Sequence, residues 1–249
     1  MPDKPLAGRI ALVTGASRGI GAAVALALAK EGAHVVATAR TVGGLEELDD
    51  AIKAIGGSAT LVPFDLKDFD AIDRLGAALH ERYGKLDILI GNAGILGALS
   101  PLSHIEPKVW DDVLTVNVTA NWRLIRAFDP LLRMSDTGRA VFISSGAGSS
   151  GTPYWGPYAV SKAALDMLVR TYAAETAQTA IKVNLFNPGP VRTNMRAAAM
   201  PGEDPMTLDT PEQVARAIVP LCLPALGVSG QMYNYRTRQF LKFNAPSHA

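Results

Sequence analysis

Two residues near position 160 have the types and the spacing that acid–base chemistry requires. Tyr158 and Lys162 stand four residues apart in the segment 151–162, GTPYWGPYAVSK, so a helix would place both side chains on one face. A phenol can donate a proton to a carbonyl oxygen, and a nearby ammonium group is expected to lower the tyrosine pKa from its usual value of about 10. Tyr154 precedes Pro157 and is expected to lie outside that helix, so we assign it no part in proton transfer. The Tyr–Lys spacing also occurs on ordinary helices, and the surrounding elements must decide between the two interpretations.

A glycine-rich segment near the N-terminus has the pattern of a phosphate-binding turn. The sequence TGASRGIG (14–21) places Gly15, Gly19 and Gly21 between an apolar run typical of a strand and an Ala/Leu-rich run typical of a helix. Glycine lets backbone N–H groups approach a pyrophosphate closely, and the positive end of the following helix favours the same anion. The spacing GxxxGxG is a variant of the dinucleotide fingerprint GxGxxG. We therefore expect a dinucleotide site here; a glycine turn needed only for packing is the alternative.

A second glycine-rich segment, GAGSSG (146–151), matches GxGxxG letter for letter and also follows a predicted strand. It lacks the context of that motif, because Thr152, Pro153 and Pro157 come before the next helix can begin. We predict that this segment is a loop.

The residues at the end of the second predicted strand bear on which dinucleotide would bind. An acidic residue there would bond the ribose 2′-hydroxyl of NAD, but the sequence has Ala39, Arg40 and Thr41 instead. Arg40 could face a 2′-phosphate, and Arg18 in the glycine turn could flank the same group. We therefore expect NADP(H), with NAD(H) as the alternative; an exposed loop arginine is the other interpretation of Arg40.

Strand-like and helix-like runs alternate along the chain, which is typical of βαβ units with right-handed crossovers and a parallel sheet. We predict an α/β fold: a single Rossmann-like domain over 1–249 that carries both the cofactor and the substrate site. Its doubly wound parallel sheet would have about seven strands, with helices on both faces. The segment 194–210 has weak periodicity and two prolines, and is expected to be a substrate lid or a surface loop. The predicted strands are 9–15, 34–39, 59–65, 86–92, 139–145, 181–187 and 230–234, and the predicted helices are 19–33, 44–55, 68–83, 107–133, 157–178 and 211–222.

The composition argues against several classes of function. A net charge of +1 with scattered Lys and Arg gives no electrostatic basis for binding nucleic acid or an anionic membrane. The uncharged stretch 140–161 is rich in Gly, Ser and Pro, so we predict no membrane helix. A single cysteine, Cys222, and the lack of a signal-peptide pattern lead us to expect a cytoplasmic protein without disulfides. We predict no metal site, since the four histidines are scattered: His34, His80, His104 and His248.

Six motifs in a fixed order give the chain a recognisable family pattern. They are TGASRGIG at 14–21 with Asp65 after the third strand, NAG at 92–94, Asn117, Ser145, YAVSK at 158–162 and PGPVRT at 188–193. With these motifs the chain resembles the classical short-chain dehydrogenase/reductase (SDR) family along nearly its whole length. The resemblance implies an enzyme that interconverts a carbonyl and an alcohol by hydride transfer with NADP(H) or NAD(H). A non-catalytic protein that binds NADP and senses its redox state is the alternative from another class, and the intact set of motifs disfavours it.

The resemblance also implies a role for each matching residue. Tyr158 would be the acid/base, Lys162 would tune it and bond the nicotinamide ribose, and Ser145 rather than its neighbour Ser144 would polarise the carbonyl. Asn117 would hold a helix distortion and a water in a proton relay; a solvent-facing asparagine is the alternative. Asp65 would bond the adenine amine, unless it caps the following helix. The implied cofactor-binding residues are Gly15, Ser17, Arg18, Gly19, Ile20, Gly21, Arg40, Asp65, Leu66, Asn92, Ala93, Gly94, Tyr158, Lys162, Pro188, Gly189, Val191 and Thr193.

The substrate side of the site is less defined by the sequence. The candidate lining residues Ala147, Tyr154, Trp155 and Met195, with Met200 beyond them, are mostly apolar and favour a hydrophobic ketone or aldehyde. Family habit further implies a homodimer or homotetramer formed through the long helices predicted at 107–133 and 157–178.

Overall fold

The computed structural model describes residues 4–243, which form one eight-stranded sheet with helices on both faces. The strand order is β3-β2-β1-β4-β5-β6-β7-β8, and every neighbouring pair is parallel except β7 and β8. The order reverses between β1 and β4, so a crevice opens there at the carboxyl edge of the sheet. The strands are β1 Ile10–Thr14, β2 His34–Ala39, β3 Ser58–Pro63, β4 Ile88–Gly91, β5 Arg139–Ile143, β6 Lys182–Asn187, β7 Met232–Asn234 and β8 Gln239–Leu241.

The helices cover the sheet in two layers because successive strand residues point to opposite faces. In β1, Ala11 and Val13 pack into one apolar core with residues of α1, α2 and α9, whereas Ile10 and Leu12 pack into the other with residues of α3, α5 and α7. The helices are α1 Gly19–Lys30, α2 Val42–Ala54, α3 Phe69–Tyr83, α4 Pro107–Leu114, α5 Ala120–Arg133, α6 Ala147–Ser150, α7 Gly156–Glu175, α8 Asn194–Ala199 and α9 Pro211–Cys222. In the described part of the chain, no helix is long and apolar enough to cross a membrane.

The seven predicted strands are all present, but the sheet has an eighth strand that the sequence pattern did not reveal. β8 runs antiparallel to β7 in a hairpin whose turn is organised by Asn234, the side chain of which accepts the N–H groups of Arg236 and Thr237. Tyr233 and Phe240 face each other across the hairpin with ring centroids 5.1 Å apart. Only three residues of β8 pair, among charged neighbours, which is too short a run for a period-2 pattern. The sequence of the tail, 235–249, leads us to expect packing at an interface or fraying; its residues 239–241 form β8, and residues 244–249 lie outside the described residues.

Two further differences from the predictions concern helices near the site. The segment predicted from its pattern as one helix over 107–133 is interrupted by a π-helical turn, Thr115–Thr119, between α4 and α5, at the place where the family resemblance implied a helix distortion around Asn117. The segment predicted as a loop over 146–151 contains a single helical turn, α6. At the start of α6, the Ser145 hydroxyl accepts the N–H of Ala147 at 3.2 Å. At its end, Gly151 adopts the left-handed region with φ +58°. The prediction of a loop was wrong, because the residues that prevent a long helix after 151 do not prevent a single helical turn within 146–151.

Candidate active site

The side chains of Tyr158 and Lys162 lie on one face of α7, against the end of β5. Tyr158 falls in the first turn of the helix and Lys162 one turn later, and both are buried, with 9% and 4% of their surface exposed. The Lys162 ammonium donates a 2.8 Å hydrogen bond to the carbonyl oxygen of Ile143, the last residue of β5. Ser145, two residues further on, lies near enough to the Tyr158 hydroxyl to act on its pKa, which it lowers. The fold therefore brings a phenol, a serine hydroxyl and an ammonium group together at the carboxyl edge of the sheet.

The pKa of Tyr158 differs from the sequence-based expectation. Burial raises its pKa above the usual value, and Ser145 offsets this only in part. The expected lowering of the Tyr158 pKa by Lys162 is wrong in this structure, because burial removes the phenolate from water and only Ser145 acts against that effect. Burial also lowers the pKa of Lys162 to about 8, against the opposing influence of the Asp166 carboxylate. At neutral pH the phenol therefore keeps its proton, as a proton donor requires.

Asn117 occupies the π-helical turn and is fully buried, which excludes the alternative of a solvent-facing side chain. Its amide oxygen accepts the N–H of Ile95 at 2.8 Å, and its amide nitrogen donates to the Ile95 carbonyl at 2.9 Å. The same nitrogen donates to the Ser161 hydroxyl at 2.9 Å, and Ser161 in turn donates to the Tyr158 carbonyl at 2.7 Å. Asn117 thus links the loop after β4 to the helix that carries the Tyr–Lys pair.

The first turn of the sheet has the tight geometry that its glycines require. Gly15 and Gly19 have φ values of +65° and +57°, in the left-handed region that glycine adopts at little cost. A Cβ at Gly21 would lie 2.9 Å from the Gly15 carbonyl carbon, closer than carbon atoms approach. Asn92, at the end of β4, donates to the Gly15 carbonyl at 3.3 Å. The N-cap residue of α1, Arg18, is extended and makes no side-chain cap hydrogen bond within the described residues.

The neighbours of this turn complete a narrow cradle. A Cβ at Gly15 would lie 3.0 Å from the Cα of Ala93, and one at Gly94 would lie 3.2 Å from the Asn117 amide oxygen. A Cβ at Gly94 would also lie 3.7 Å from the Lys162 ammonium, so Gly94 sits between the turn and the Tyr–Lys pair. Ser17 packs against α2, and the half-buried Ile20 packs on the core. The uncapped end of α1 beside backbone that only glycine allows fits the pyrophosphate of a dinucleotide.

Arg40 and Asp65 follow β2 and β3 and lie at the same edge of the sheet. They form an ion pair at 3.8 Å, with 62% of the Arg40 side chain and 39% of the Asp65 side chain exposed. Asp65 is not the cap of the following helix: Asp68 caps α3 by accepting the N–H of Ala71 at 3.0 Å. The carboxylate of Asp65 accepts the Lys67 N–H at 3.0 Å instead, beside the buried Leu66.

The loop after β6 reaches the same edge. Pro188 and Val191 are buried, and Gly189 has a φ of +67° with its N–H donated to the Asn187 side chain at 3.0 Å. Thr193 caps α8 through its hydroxyl oxygen and also donates to the Val191 carbonyl at 3.3 Å. Thr193, which the family resemblance implies to be a cofactor-binding residue, therefore also stabilises the start of α8.

Comparisons with known proteins agree with this geometry. The family model of the short chain dehydrogenases matches residues 9–204. The uncharacterized oxidoreductase YciK of Escherichia coli K12 is 40% identical over 222 residues, which are 88% of this chain and 86% of that protein. This chain belongs to the short-chain dehydrogenase/reductase family. An uncharacterized NAD-dependent oxidoreductase of Mycobacterium tuberculosis CDC 1551 is 37% identical over 204 residues, 76% of this chain and 74% of its own length. The crystal structure of an Escherichia coli CFT073 protein assigned to the short-chain dehydrogenases, complexed with NADPH, matches with a TM-score of 0.87 at 37% identity and covers 95% of this chain and 100% of that one. The predicted fold, family and enzyme class are thus confirmed.

Two aromatic residues lie near the candidate catalytic tetrad, which consists of Asn117, Ser145, Tyr158 and Lys162, where the substrate side is expected. Trp155 is half-buried and meets the Tyr158 ring edge-on, with centroids 6.0 Å apart. Tyr154 is 61% exposed and has a φ of +72°, a conformation that non-glycine residues rarely adopt. Its carbonyl accepts the N–H of Ser100 at 3.1 Å, which ties the loop before α7 to the loop after β4.

The other candidate substrate residues lie in two separate places. Ala147 begins α6, two residues after Ser145. Met195 lies on α8 with 37% of its surface exposed. Met200, at the end of α8, lines a cavity of about 330 Å³ together with Arg196 and Glu203. These two residues form an ion pair with nitrogen–oxygen distances of 2.5 and 2.6 Å.

Sequence reasoning missed the polar residues that support the tetrad. Ser144, set aside in favour of Ser145, donates to the buried carboxylate of Asp166 on α7. Ser161 links Asn117 to α7, and Asn121 donates to the Asn117 carbonyl at 2.8 Å in the π-helical turn. One signal was available: Asp166 follows Lys162 by four residues, the same helical spacing that separates Lys162 from Tyr158.

Proposed function

We propose that this SDR enzyme interconverts a ketone or aldehyde and an alcohol, with NADP(H) as the hydride carrier. The observation that carries the proposal is the buried pair on α7: Lys162 is bonded to the end of β5, and Tyr158 lies near Ser145, which acts to lower the Tyr158 pKa. This group lies beside Gly94 and the glycine turn, which form the cradle for a dinucleotide. Reduction is the direction we favour, because NADP pools in cells are generally kept reduced.

The chain's own residues divide the chemistry among them. A nicotinamide bound at this site would supply a hydride to the carbonyl carbon in reduction and would accept it in oxidation. The Ser145 hydroxyl donates a hydrogen bond to the carbonyl oxygen and stabilises its developing negative charge. The Tyr158 hydroxyl transfers its proton to the same oxygen, which becomes the alcohol O–H, and a positioned acid of this kind contributes about 10²–10⁴-fold to the rate. Lys162 places a positive charge beside the phenolate that remains.

Recovery of the proton is the task we assign to Asn117. The side chain lies beside Gly94 and is linked through Ser161 to the first turn of α7, so it is placed between the loop after β4 and the catalytic pair. Its hydrogen bonds to both backbone groups of Ile95 fix its orientation. A water held near this asparagine would return a proton from solvent toward Lys162 and Tyr158.

NADP(H) is proposed over NAD(H) on the charges at the end of β2. Arg40 is largely exposed, and its only carboxylate partner among the described residues is Asp65, 3.8 Å away. A guanidinium held this loosely is available to a 2′-phosphate, which it binds with charge-assisted hydrogen bonds. Arg18, exposed at the start of α1, would approach the same phosphate. The Escherichia coli CFT073 structure complexed with NADPH supports this choice, and the NAD-dependent relative from Mycobacterium tuberculosis supports the alternative.

The other cofactor contacts are proposed from their places at the carboxyl edge of the sheet. Asp65 and Leu66 would hold the adenine, and Asn92, Ala93 and Gly94 would line the ribose. The loop after β6 would hold the nicotinamide carboxamide. Its members are Pro188, Gly189, Val191 and Thr193.

The substrate is proposed to be a hydrophobic carbonyl compound. Trp155 packs edge-on against Tyr158, and Tyr154 and Met195 are exposed apolar residues on loops or helix ends near the same edge. The segment 194–210 is proposed to cover the bound substrate. It is built of α8 and a 3₁₀ turn, Pro205–Thr207, and the Arg192 guanidinium donates to three carbonyls of its second half.

A homo-oligomer is proposed through the exposed sides of α5 and α7. Trp122 on α5 is 42% exposed, and Val160 and Met167 on α7 are 43% and 56% exposed. Val160 and Met167 are seven residues apart and so lie on one side of the helix. Size-exclusion chromatography with light scattering tests this: Met167→Asp is expected to yield monomer, and a wild-type protein that is already monomeric would contradict it.

A panel of carbonyl compounds and alcohols, read by NADPH absorbance, tests the proposed function. We expect NADPH oxidation with apolar aldehydes or ketones, and a smaller rate with NADH. Tight NADPH binding with no turnover of any compound would overturn the proposal and leave the protein as a nucleotide-binding one.

A further inference from the structure

We propose that Asp166 is a positioning residue of this active site, which holds the serine end of β5 through Ser144 and keeps the buried Lys162 in its ammonium form. The inference deepens the proposed function and rests on it. Asp166 and Ser144 lie outside the tetrad of Asn117, Ser145, Tyr158 and Lys162.

The first argument is the geometry of β5 and α7. Three consecutive residues at the end of β5 each lie against one residue of α7, and the three α7 residues follow one another at the spacing of a helical turn. The Ile143 carbonyl accepts from Lys162 at 2.8 Å, Ser144 donates to Asp166, and Ser145 lies near the Tyr158 hydroxyl. Asp166 is thus the third member of one row of contacts. Among the described residues, it is the only hydrogen-bond partner of the Ser144 hydroxyl.

The second argument is the enclosure of the carboxylate. Asp166 is 9% exposed, and α6 is pressed against it: a Cβ at Gly148 would lie 3.3 Å from its carboxylate oxygen and 3.0 Å from the backbone nitrogen of Ala163. An ionised carboxylate is costly to bury unless hydrogen bonds and a positive charge compensate. Both are present here, since Ser144 donates to it and Lys162 lies one helical turn away.

The third argument is the set of charges around the pair. Burial raises the pKa of Asp166 to about 6, while Ser144, Lys162 and Arg170 act in the opposite direction. The carboxylate is therefore mainly ionised at neutral pH. Asp166 is also the one charged group of the described chain that acts to raise the pKa of Lys162, which burial lowers to about 8. α6 and the end of β5 bring no charged side chain to the pair.

Two variants separate the charge of Asp166 from its hydrogen bond. Asp166→Asn keeps an oxygen that can accept from Ser144 and removes the charge, whereas Ser144→Ala keeps the charge and removes the bond. The matched control is Ser135→Ala. Ser135 also donates to a buried aspartate, Asp87, at 2.6 Å, but this pair lies at the opposite edge of the sheet, away from the tetrad.

The kinetic test is the pH dependence of kcat/KM for carbonyl reduction, which reports the ionisations of the free enzyme. In wild type the rate is expected to fall as Lys162 loses its proton near pH 8. In Asp166→Asn that fall is expected about one pH unit lower, the usual effect of losing a nearby opposite charge. Ser144→Ala is expected to lower kcat about tenfold with the KM for NADPH little changed, because one hydrogen bond that aligns the serine end of β5 is lost. Ser135→Ala should lower thermal stability without moving the pH profile.

A titration that needs no turnover completes the test. The Cε resonance of Lys162, observed by NMR in ¹³C-lysine-labelled protein and assigned with Lys162→Arg, should titrate about one pH unit lower in Asp166→Asn than in wild type. A wild-type enzyme without activity would refute the proposed function while this titration still decides the role of Asp166. Superimposed Lys162 titrations in wild type and Asp166→Asn would overturn the inference, as would a Ser144→Ala variant with wild-type kcat.

Discussion

The substitution Gly21→Ala tests whether the turn after β1 is shaped for a ligand. The added Cβ would lie 2.9 Å from the Gly15 carbonyl carbon, and closer still to that carbonyl oxygen and to the Asn92 amide nitrogen. Carbon atoms approach to about 3.5–4.0 Å, so the turn must move by about 0.6–1 Å. Overpacking of this kind costs about 1–3 kcal/mol, which for a chain of this length is a fall in Tm of about 2–12 °C.

The same movement is expected to weaken NADPH binding. The Gly15 carbonyl and the N–H groups at the start of α1 share this turn, and losing one hydrogen bond to a charged phosphate costs about 1.5–3 kcal/mol. This corresponds to a dissociation constant about 10- to 100-fold higher. Calorimetric titration with NADPH and thermal unfolding of the free protein measure the two effects separately.

Gly43→Ala is the matched control, since Gly21 and Gly43 both lie in the first turn of a helix. Apart from its chain neighbours and the nearby backbone of α2, no atom of residues 4–243 lies within 4 Å of a Cβ added at Gly43. Alanine is there expected to leave stability unchanged or raise it by up to about 1 kcal/mol, with no effect on NADPH binding. If Gly21→Ala matched Gly43→Ala in both Tm and NADPH affinity, the packing of this turn and its role in binding would be refuted.

Three other predictions concern the tetrad and the choice of cofactor. Asn117→Ala removes three hydrogen bonds of a fully buried side chain, two of them to the backbone N–H and carbonyl of Ile95. The free energy of unfolding in urea is therefore expected to fall by about 3 kcal/mol. An unchanged unfolding midpoint would contradict this. Arg40→Ala is expected to lower kcat/KM about tenfold with NADPH and little with NADH, and an equal effect on both cofactors would argue against a 2′-phosphate contact. Reduction by wild type is expected to slow as pH rises through about 8, because the Lys162 ammonium is the active form and its pKa is lowered to that value; a rate that stays constant to pH 9.5 would show that this charge is not needed.

Much of the fold was predictable because its signals are local. Buried parallel strands are short apolar runs such as the one in β1, and their alternation with amphipathic helices defines the layers. The eighth strand was not predictable in this way, because its pairing depends on the turn made by Asn234 and on contact between Tyr233 and Phe240. These residues share no periodic pattern, so the local sequence gives no signal of their contacts.

The candidate site was predictable where a sequence motif determines the backbone conformation. It was less predictable where the degree of burial determines the properties of a side chain. The glycine positions and the Tyr158–Lys162 spacing follow from the sequence. The direction of the Tyr158 pKa does not, because it depends on how far the folded chain removes the phenol from water. For the same reason Asp166 reads as one more charged residue of a helix, and only the packing of α6 shows that it is enclosed.

The most direct test of the account is NADPH oxidation by wild type, Tyr158→Phe and Tyr154→Phe with the same apolar carbonyl compound. Both variants lose only a phenolic hydroxyl, the first buried beside Ser145 and Lys162, the second 61% exposed. The account predicts that Tyr158→Phe loses about 10²–10⁴-fold in kcat while it still binds NADPH, and that Tyr154→Phe stays close to wild type. Carbonyl reduction that survives undiminished in Tyr158→Phe would contradict the central claim.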